Sequence, residues 1–461
     1  MLSTEILSRI QFAFTVSAHI IFPAFSIGLA TLIMLMEATW LSTRNPLYLS
    51  ICKFWTKVFA LTFGMGVVSG IVMEFQLGTN WSGFAQQVGS VLGGLFTYEV
   101  LTAFFVEAGF LGVMIFGWNK VGPKLHFVAT FLVWLGVTLS AFWILAANSW
   151  MQTPAGVTHT NGQFHVQSWW QVIFNHSTIP RFIHMLLAAY LTTAFIVAAI
   201  SAWYLLKQRH LDVAKKCFSF SMWCALILIV IQLFVGDAVG LEVHQNQPTK
   251  TAAMEGVWNT QRGAPLLLFA YPDMSQQKNL FTVSIPHFAA LINTHQWNGK
   301  LQGLNAVPAK NRPFVPFVFY SFRIMVGLGV LMLITSLIGL VLRLRSKLYD
   351  TPWFHKLCIL MAPAGLGALW TGWITAEVGR QPWVAYHLIR TADAASPVSP
   401  YHVLITFILL FVVYGIMFGF FYFKFLGKIL QHGPDKPDAT LQEKTFGYLD
   451  ITHHSDKNDT E

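Results

Sequence analysis

Charge is what this sequence has least of. Only 11% of its 461 residues are Asp, Glu, Lys or Arg, against about 25% in a soluble globular chain. So few charges cannot cover a water-facing surface of this size, which excludes a cytosolic globular enzyme. The same shortage excludes disorder and a long coiled coil. Cysteine is scarce too: Cys52, Cys217, Cys224 and Cys358 form no CxxC pair and suggest no disulfide framework. No internal repeat is visible, which argues against a transporter built from inverted halves. The net charge of +9 does not argue for nucleic acid. Its basic residues are spread over loops between apolar runs, where they face anionic lipid and set topology.

What is present is apolar. Hydrophobic residues make up 55% of the chain, with 40 Phe and 17 Trp, and the mean hydropathy is +0.55. This composition predicts an all-α integral membrane protein. Nine runs can each cross a hydrocarbon core of about 30 Å, which takes roughly 20 helical residues. They lie near 12–39, 54–75, 92–117, 125–147, 182–205, 217–239, 315–342, 357–376 and 402–425. The first is too long for a signal-peptide core and lacks a small-residue cleavage site, so it is expected to be a retained span.

Basic residues orient the spans. One set of ends carries Arg44, Lys53, Lys120, Lys124, Lys207, Arg209, Lys215, Lys216, Arg343, Arg345, Lys347, Lys356 and the basic tail. The other set has no Lys or Arg between Glu74 and the third span, and only Arg181 between spans four and five. The positive-inside rule then predicts an outer N-terminus and a cytoplasmic C-terminus. The segment 240–314 holds six basic residues on the outer side, but long loops weigh little in that rule. Four regions follow: 1–240 with six spans, an outer loop at 241–314, three spans at 315–426, and a polar tail at 427–461. His453 and His454 are expected to be solvated there. Trp81, Trp169 and Trp170 fit an interfacial belt.

Ionisable side chains inside spans cost a few kcal/mol each and mark function by default. Here they are His19, Glu99, Glu107, His184 and Arg323, with Glu74, Asp237 and Glu377 at span ends. Counting along the helices at about 1.5 Å per residue brings His19, His184, Met325, Glu99 and Glu377 into the outer half of the membrane. Imidazole and thioether are haem-iron ligands, and a His/Met pair makes a low-spin, electron-transferring haem. A carboxylate is a weak ligand that leaves the opposite face of an iron open for dioxygen. Glu99, Ala103 and Glu107 follow i, i+4, i+8 spacing, and stacked carboxylates running inward can carry protons. The residues alone thus indicate a haem-binding redox protein. A haem b electron carrier would need His184 and Met325 without the inward carboxylates, and a transporter would use the same charges without haem.

Several strings sharpen this. LSRIQFAF lies before His19, MEFQLGTNW covers 73–81, and EVLTAFFVE runs from Glu99 to Glu107. LSAFWILAANSWMQTP covers 139–154, RFIH ends at His184, FRIM covers 322–325, and GWITAEVGRQPW covers 372–383. In order and spacing these resemble subunit I of the cytochrome bd quinol oxidases over nearly the whole chain. The resemblance implies a terminal oxidase that passes electrons from quinol to dioxygen and builds a proton motive force without pumping. It implies a low-spin haem b on His184 and Met325. His19 and Glu377 would serve a high-spin haem b and haem d, or a further haem b in its place, with the distribution between them open. It also implies that Glu99 lies beside the two-haem site, that Glu107 lies on the proton path, and that Ser140 and Asn148 line the same region. Arg9, Arg323 and Arg380 match arginines near the haems, where guanidinium can pair with propionates, and Trp373 matches an aromatic between haems. Arg323 and Met325 are two residues apart, about 200° around a helix, so Arg323 would have to reach a haem edge. Lys250 and Glu255 in KTAAMEGVW match quinol-oxidation positions, on a loop of the short type that includes cyanide-insensitive oxidases. The partners implied are quinol, dioxygen, the lipid bilayer, a second large membrane subunit and small single-span subunits, in a bacterial cytoplasmic membrane.

Overall fold

The computed structural model describes residues 2–435. The polar tail expected from 427 starts later, because helix continues to His432; His453 and His454 lie outside the described residues. Nine helical spans are present among the described residues.

Span one is two helices, α1 (Thr4–His19) and α2 (Ile21–Thr43), and span two is α3 (Pro46–Thr79). Span three is α4 (Ser82–Glu99), a π-helical turn over Val100–Phe104, and α5 (Phe105–Phe116); span four is α6 (Pro123–Gln152). A hairpin of β1 (Val157–Thr160) and β2 (Gln163–Val166), then α7 (Trp169–Ile173), lead to span five, α8 (Thr178–Leu206), and span six, α9 (Leu211–Asn246). The long connection that follows is structured. It contains α10 (Pro248–Glu255), β3 (Gln261–Arg262), the hairpin β4 (Leu266–Asp273) and β5 (Lys278–Ile285), α11 (Phe288–Thr294), and β6 (Lys300–Leu301) paired with β3. Span seven is α12 (Val315–Leu344), and span eight is α13 (Pro352–Leu360) with α14 (Ala364–Arg380). After the pair β7 (Trp383–Ala385) and β8 (Ile389–Arg390), span nine is α15 (Pro400–Tyr414), a π-helical turn over Gly415–Tyr422, and α16 (Phe423–His432).

The spans outrun the apolar runs that announce them; the second was expected at 54–75 and covers Pro46–Thr79. Each backbone hydrogen bond propagates a helix until a cap ends it, whatever the side chains. Pro at a first-turn position, where no N–H is needed, starts α3, α6, α10, α13 and α15. The first span was expected to be unbroken. Pro23 cannot donate to the carbonyl four residues earlier, which is that of His19, and the helix divides there. Pro363 similarly separates α13 from α14.

Two rings of four spans form the body. In the first, α2 packs on α3 and α6, and α5 closes the ring against both. In the second, α8 packs on α9 and α14, and α12 packs on the same two, so α8 and α12 stand across the ring from each other. The rings meet where α2 and α6 contact α8. Close approach there needs a small residue: a Cβ on Gly28 would lie 2.0 Å from Thr193 Oγ1. The ninth span lies outside, against α1 and α3. The short helix α10 packs on α9, α12 and α14 together, capping the second ring.

The basic ends gather on one side. Lys57 pairs with Asp435 at 2.9 Å, Arg209 donates to the Gln431 carbonyl, Lys53 faces the Trp118 ring, and Lys216 faces Tyr48. The aromatic belt needs one correction. Trp170 is 71% exposed, but Trp81 is only 6% exposed and packs with Phe84 and Val88 in an interior cluster.

Candidate functional site

The second ring carries most of the candidate residues, and the end of it that α10 caps is a hydrogen-bonded cluster. Glu377, on the last turn of α14, accepts from Asn148 Nδ2 and Gln152 Nε2 of α6, both at 3.1 Å, and pairs with Arg380. Arg181 on α8 donates to Asn148 Oδ1 at 2.5 Å and Ser149 Oγ at 3.0 Å. Lys250 comes down from α10 and donates to Gln152 Oε1 at 2.6 Å. Lys250 is 4% exposed. Burial first, and then the positive Arg181, push its ammonium well below the ordinary lysine range. Gly379 makes the approach possible, since a Cβ there would lie 2.7 Å from Lys250 Cγ.

Glu255, 1% exposed, ends the same short helix and faces the other way. Asn293 donates to it at 3.0 Å, and Arg323 of α12 pairs with it at 3.2 Å. Arg323 also donates to the Leu267 carbonyl at 2.7 Å and to that of Met254. Its guanidinium thus serves the connection between spans six and seven, while Met325, two residues on, faces α14. A Cβ on Gly372 would stand 2.9 Å from Met325 Sδ. His184 enters the ring from α8, and its Nδ1 is shut off from solvent with no partner. A cavity of about 560 Å³ opens beside α10, lined by Gln152, His176, Pro248, Arg380, Tyr386 and His387.

The first ring carries the carboxylate pair. Along an unbroken α-helix, eight residues overshoot two full turns by about 80°. The π-helical turn between Glu99 and Glu107 takes more residues per turn and removes much of that drift. Both therefore face one stripe of α6. Ser140 donates to Glu99 at 2.7 Å, and Gly136, one turn away, leaves room for Glu107, whose Cγ would lie 2.5 Å from a Cβ there. Each carboxylate keeps one buried oxygen without a partner. His19 stands at the α1–α2 joint, with Nδ1 2.8 Å from Ser69 Oγ. Trp373 is half-buried one turn before Glu377. Arg9 stays apart on the surface of α1, 3.6 Å from Glu5.

Four participants escaped the sequence argument. Arg181 counts there only as an outer-loop charge, and Gln152 only as part of a matching string. Glu37 and His126 lie inside the expected spans 12–39 and 125–147, close to their ends, and the sequence does not show that they meet. In the fold they form a buried pair, 2.7 Å apart, joined by Thr130 at 2.7 Å.

Imidazoles and a thioether directed between helices, with buried carboxylates and arginines beside them, define a multi-span membrane redox protein. The sequence profile described as cytochrome bd terminal oxidase subunit I matches residues 7–434. The cytochrome bd ubiquinol oxidase subunit 1 of Bacillus subtilis (strain 168) is 36% identical, with 93% of this chain and 94% of that protein covered. The cytochrome bd-II ubiquinol oxidase subunit 1 of Escherichia coli (strain K12) is 34% identical, with 85% and 90% covered. The structure of the bd oxidase from Geobacillus thermodenitrificans matches with a TM-score of 0.87 at 29% identity, covering 94% of this chain and 99% of that one. The chain belongs to the cytochrome bd terminal oxidase subunit I family; it is a subunit of a quinol:oxygen oxidoreductase and a multi-pass protein of a bacterial cytoplasmic membrane.

The family implies haem cofactors and a subunit II, and the residues present fit haem. His184 Nδ1 is an orphaned buried nitrogen, Met325 Sδ faces a helix kept open by glycine, and Arg380 holds Nε and Nη1 buried without partners, ready for anionic oxygens.

Proposed function

We propose that this subunit oxidises quinol under α10 and supports the reduction of dioxygen within the two rings. His184 and Met325 would hold a low-spin haem b. His19 and Glu377 would hold a high-spin haem b and either haem d or a further haem b. When bound, the haems accept electrons one at a time and supply the iron chemistry that reduces dioxygen. One observation carries this reading: Lys250 Nζ, Gln152 and Glu377 form a continuous hydrogen-bonded chain from the outer helix to a candidate ligand. A quinol seated at α10 thus stands two side chains away from the second ring.

The remaining roles follow from chemistry. Lys250 binds a quinone oxygen, and Glu255, oriented by Arg323 and Asn293, takes a quinol proton that leaves outward. Arg380, with two buried guanidinium nitrogens unpartnered, is assigned to propionate charge and Trp373 to the space between haems. Glu99, held by Ser140, and Glu107 pass chemical protons from the cytoplasmic side, with Asn148 orienting Glu377. Two quinols then give four electrons to one dioxygen and two waters form. Protons are released on one face and consumed from the other, so charge is separated without a pumping element. This needs the N-terminus outside, which the clustering of Lys57, Lys53, Arg209 and Lys216 at the opposite end supports. Small single-span subunits beside subunit II complete the proposed assembly.

The test is the absorption spectrum of Met325→Leu in membranes. Loss of the low-spin haem b signal with the other haem signals retained is expected; an unchanged low-spin signal would overturn the ligand assignment.

A further inference from the structure

We infer that Ser69 is a positioning residue for His19: its hydroxyl fixes which ring nitrogen carries the proton and so sets the donor strength of that imidazole toward iron. The inference rests on His19 being a haem ligand. Ser69 is fully buried on α3, and its Oγ lies 2.8 Å from His19 Nδ1. A serine hydroxyl has one proton to give. Its own helix offers that proton two acceptors, the Met65 carbonyl at 2.9 Å and the Gly66 carbonyl at 3.0 Å. With the proton so used, Oγ accepts from His19, which puts the hydrogen on Nδ1 and leaves the lone pair on Nε2 for a metal.

The pairing is held by the register of two helices. Along α1, Gln11, Thr15 and His19 recur every four residues. Asn80 donates to Gln11 at 3.0 Å, Gln76 donates to Thr15 at 2.7 Å, and Ser69 completes the series. Gly70 lets α3 pass the ring, since a Cβ there would lie 3.3 Å from His19 Cε1. Helix α1 ends at His19, so nothing downstream in α1 orients the ring, and the hydroxyl supplies what the broken helix does not. A ligating His that donates its second N–H is the more basic ligand, so the hydroxyl strengthens His19 as a donor.

The experiment compares Ser69→Thr with Ser69→Val, two side chains of equal shape that differ in the hydroxyl, in the purified oxidase. The readouts are the iron–histidine stretching band in resonance Raman of the reduced enzyme and the midpoint potential of the haem lost in His19→Ala. The Thr protein should match the native band and potential. The Val protein should keep its haem, with the band at lower frequency and the potential raised. Identical bands and potentials in the two variants would overturn the proposal. A His19→Ala protein that kept every haem would instead overturn the ligand assignment beneath it.

Discussion

Lys250 and Glu255 stand five residues apart on one short helix and serve opposite sides of it. Lys250 reaches inward to Gln152 at 2.6 Å, and Glu255 is held by Arg323 at 3.2 Å. Five helical residues turn a side chain about 140° past a full turn, so the two buried charges do not neutralise each other. Each is tied to a different transmembrane helix, and α10 is pinned between them.

The Glu255–Arg323 pair should therefore be a stability element as well as a site element. Removing one partner of a buried pair leaves the other charge uncompensated, at a cost of about 3–5 kcal/mol. Arg323→Leu is expected to lower the thermal midpoint of the purified protein and to open the segment 247–308 to protease. Glu255→Gln, which keeps the bond from Asn293, should cost less. Equal midpoints for the native and Arg323→Leu proteins would remove the pair from this role.

Lys250 predicts a pH dependence. Its folded value lies well below the ordinary 10.5, so the unfolded chain binds the proton more readily. The penalty for burying the ammonium is present in full below the folded value. It fades as pH rises toward the ordinary value, so stability gains with pH across that interval. In Lys250→Met the thermal midpoint should rise less over the same alkaline interval, and the KM for quinol should increase several-fold. A parallel pH profile in both proteins would contradict the argument.

Gly136 tests the inward carboxylates without altering either. The side chain of Gly136→Val must displace Glu107, whose Cγ lies 2.5 Å from the position of a Cβ. Oxygen consumption should fall by about a hundredfold or more, the order a positioned proton-transfer group contributes, with the quinol KM unchanged. A fall in quinol affinity instead would point to a general distortion.

Glu37 and His126 form another buried polar pair, far from α10. Glu37→Leu strands His126 and Thr130 and is expected to cost on the order of 3 kcal/mol. The thermal midpoint should fall while the haem spectrum of the surviving protein is unchanged. Altered haem bands would show that this pair reaches the redox site.

The span pattern was legible because lipid imposes it residue by residue. Nine apolar runs and one-sided basic ends survive in the fold nearly as read. The joint at His19 was written in Pro23, yet hydropathy passes smoothly over it. Glu99 and Glu107 were visible as intramembrane acids, but their shared face depends on a π-helical turn that no side-chain pattern announced. Trp81 read as interfacial and is interior, because an indole meets either environment and only packing decides. Arg181 and Gln152 were invisible as participants, since a polar residue at a span end is unremarkable until its neighbours are known.

By itself the sequence determined the class of the molecule: the number of crossings, the charged ends, and the polar side chains that must be justified inside lipid. Those follow from local sums of transfer energy along the chain. The tertiary structure decided which of those side chains meet: Lys250 with Gln152, Glu255 with Arg323, His19 with Ser69. Such pairings depend on helix rotation, register and crossing, which arise from contacts between residues tens to hundreds of positions apart, and composition carries no record of them.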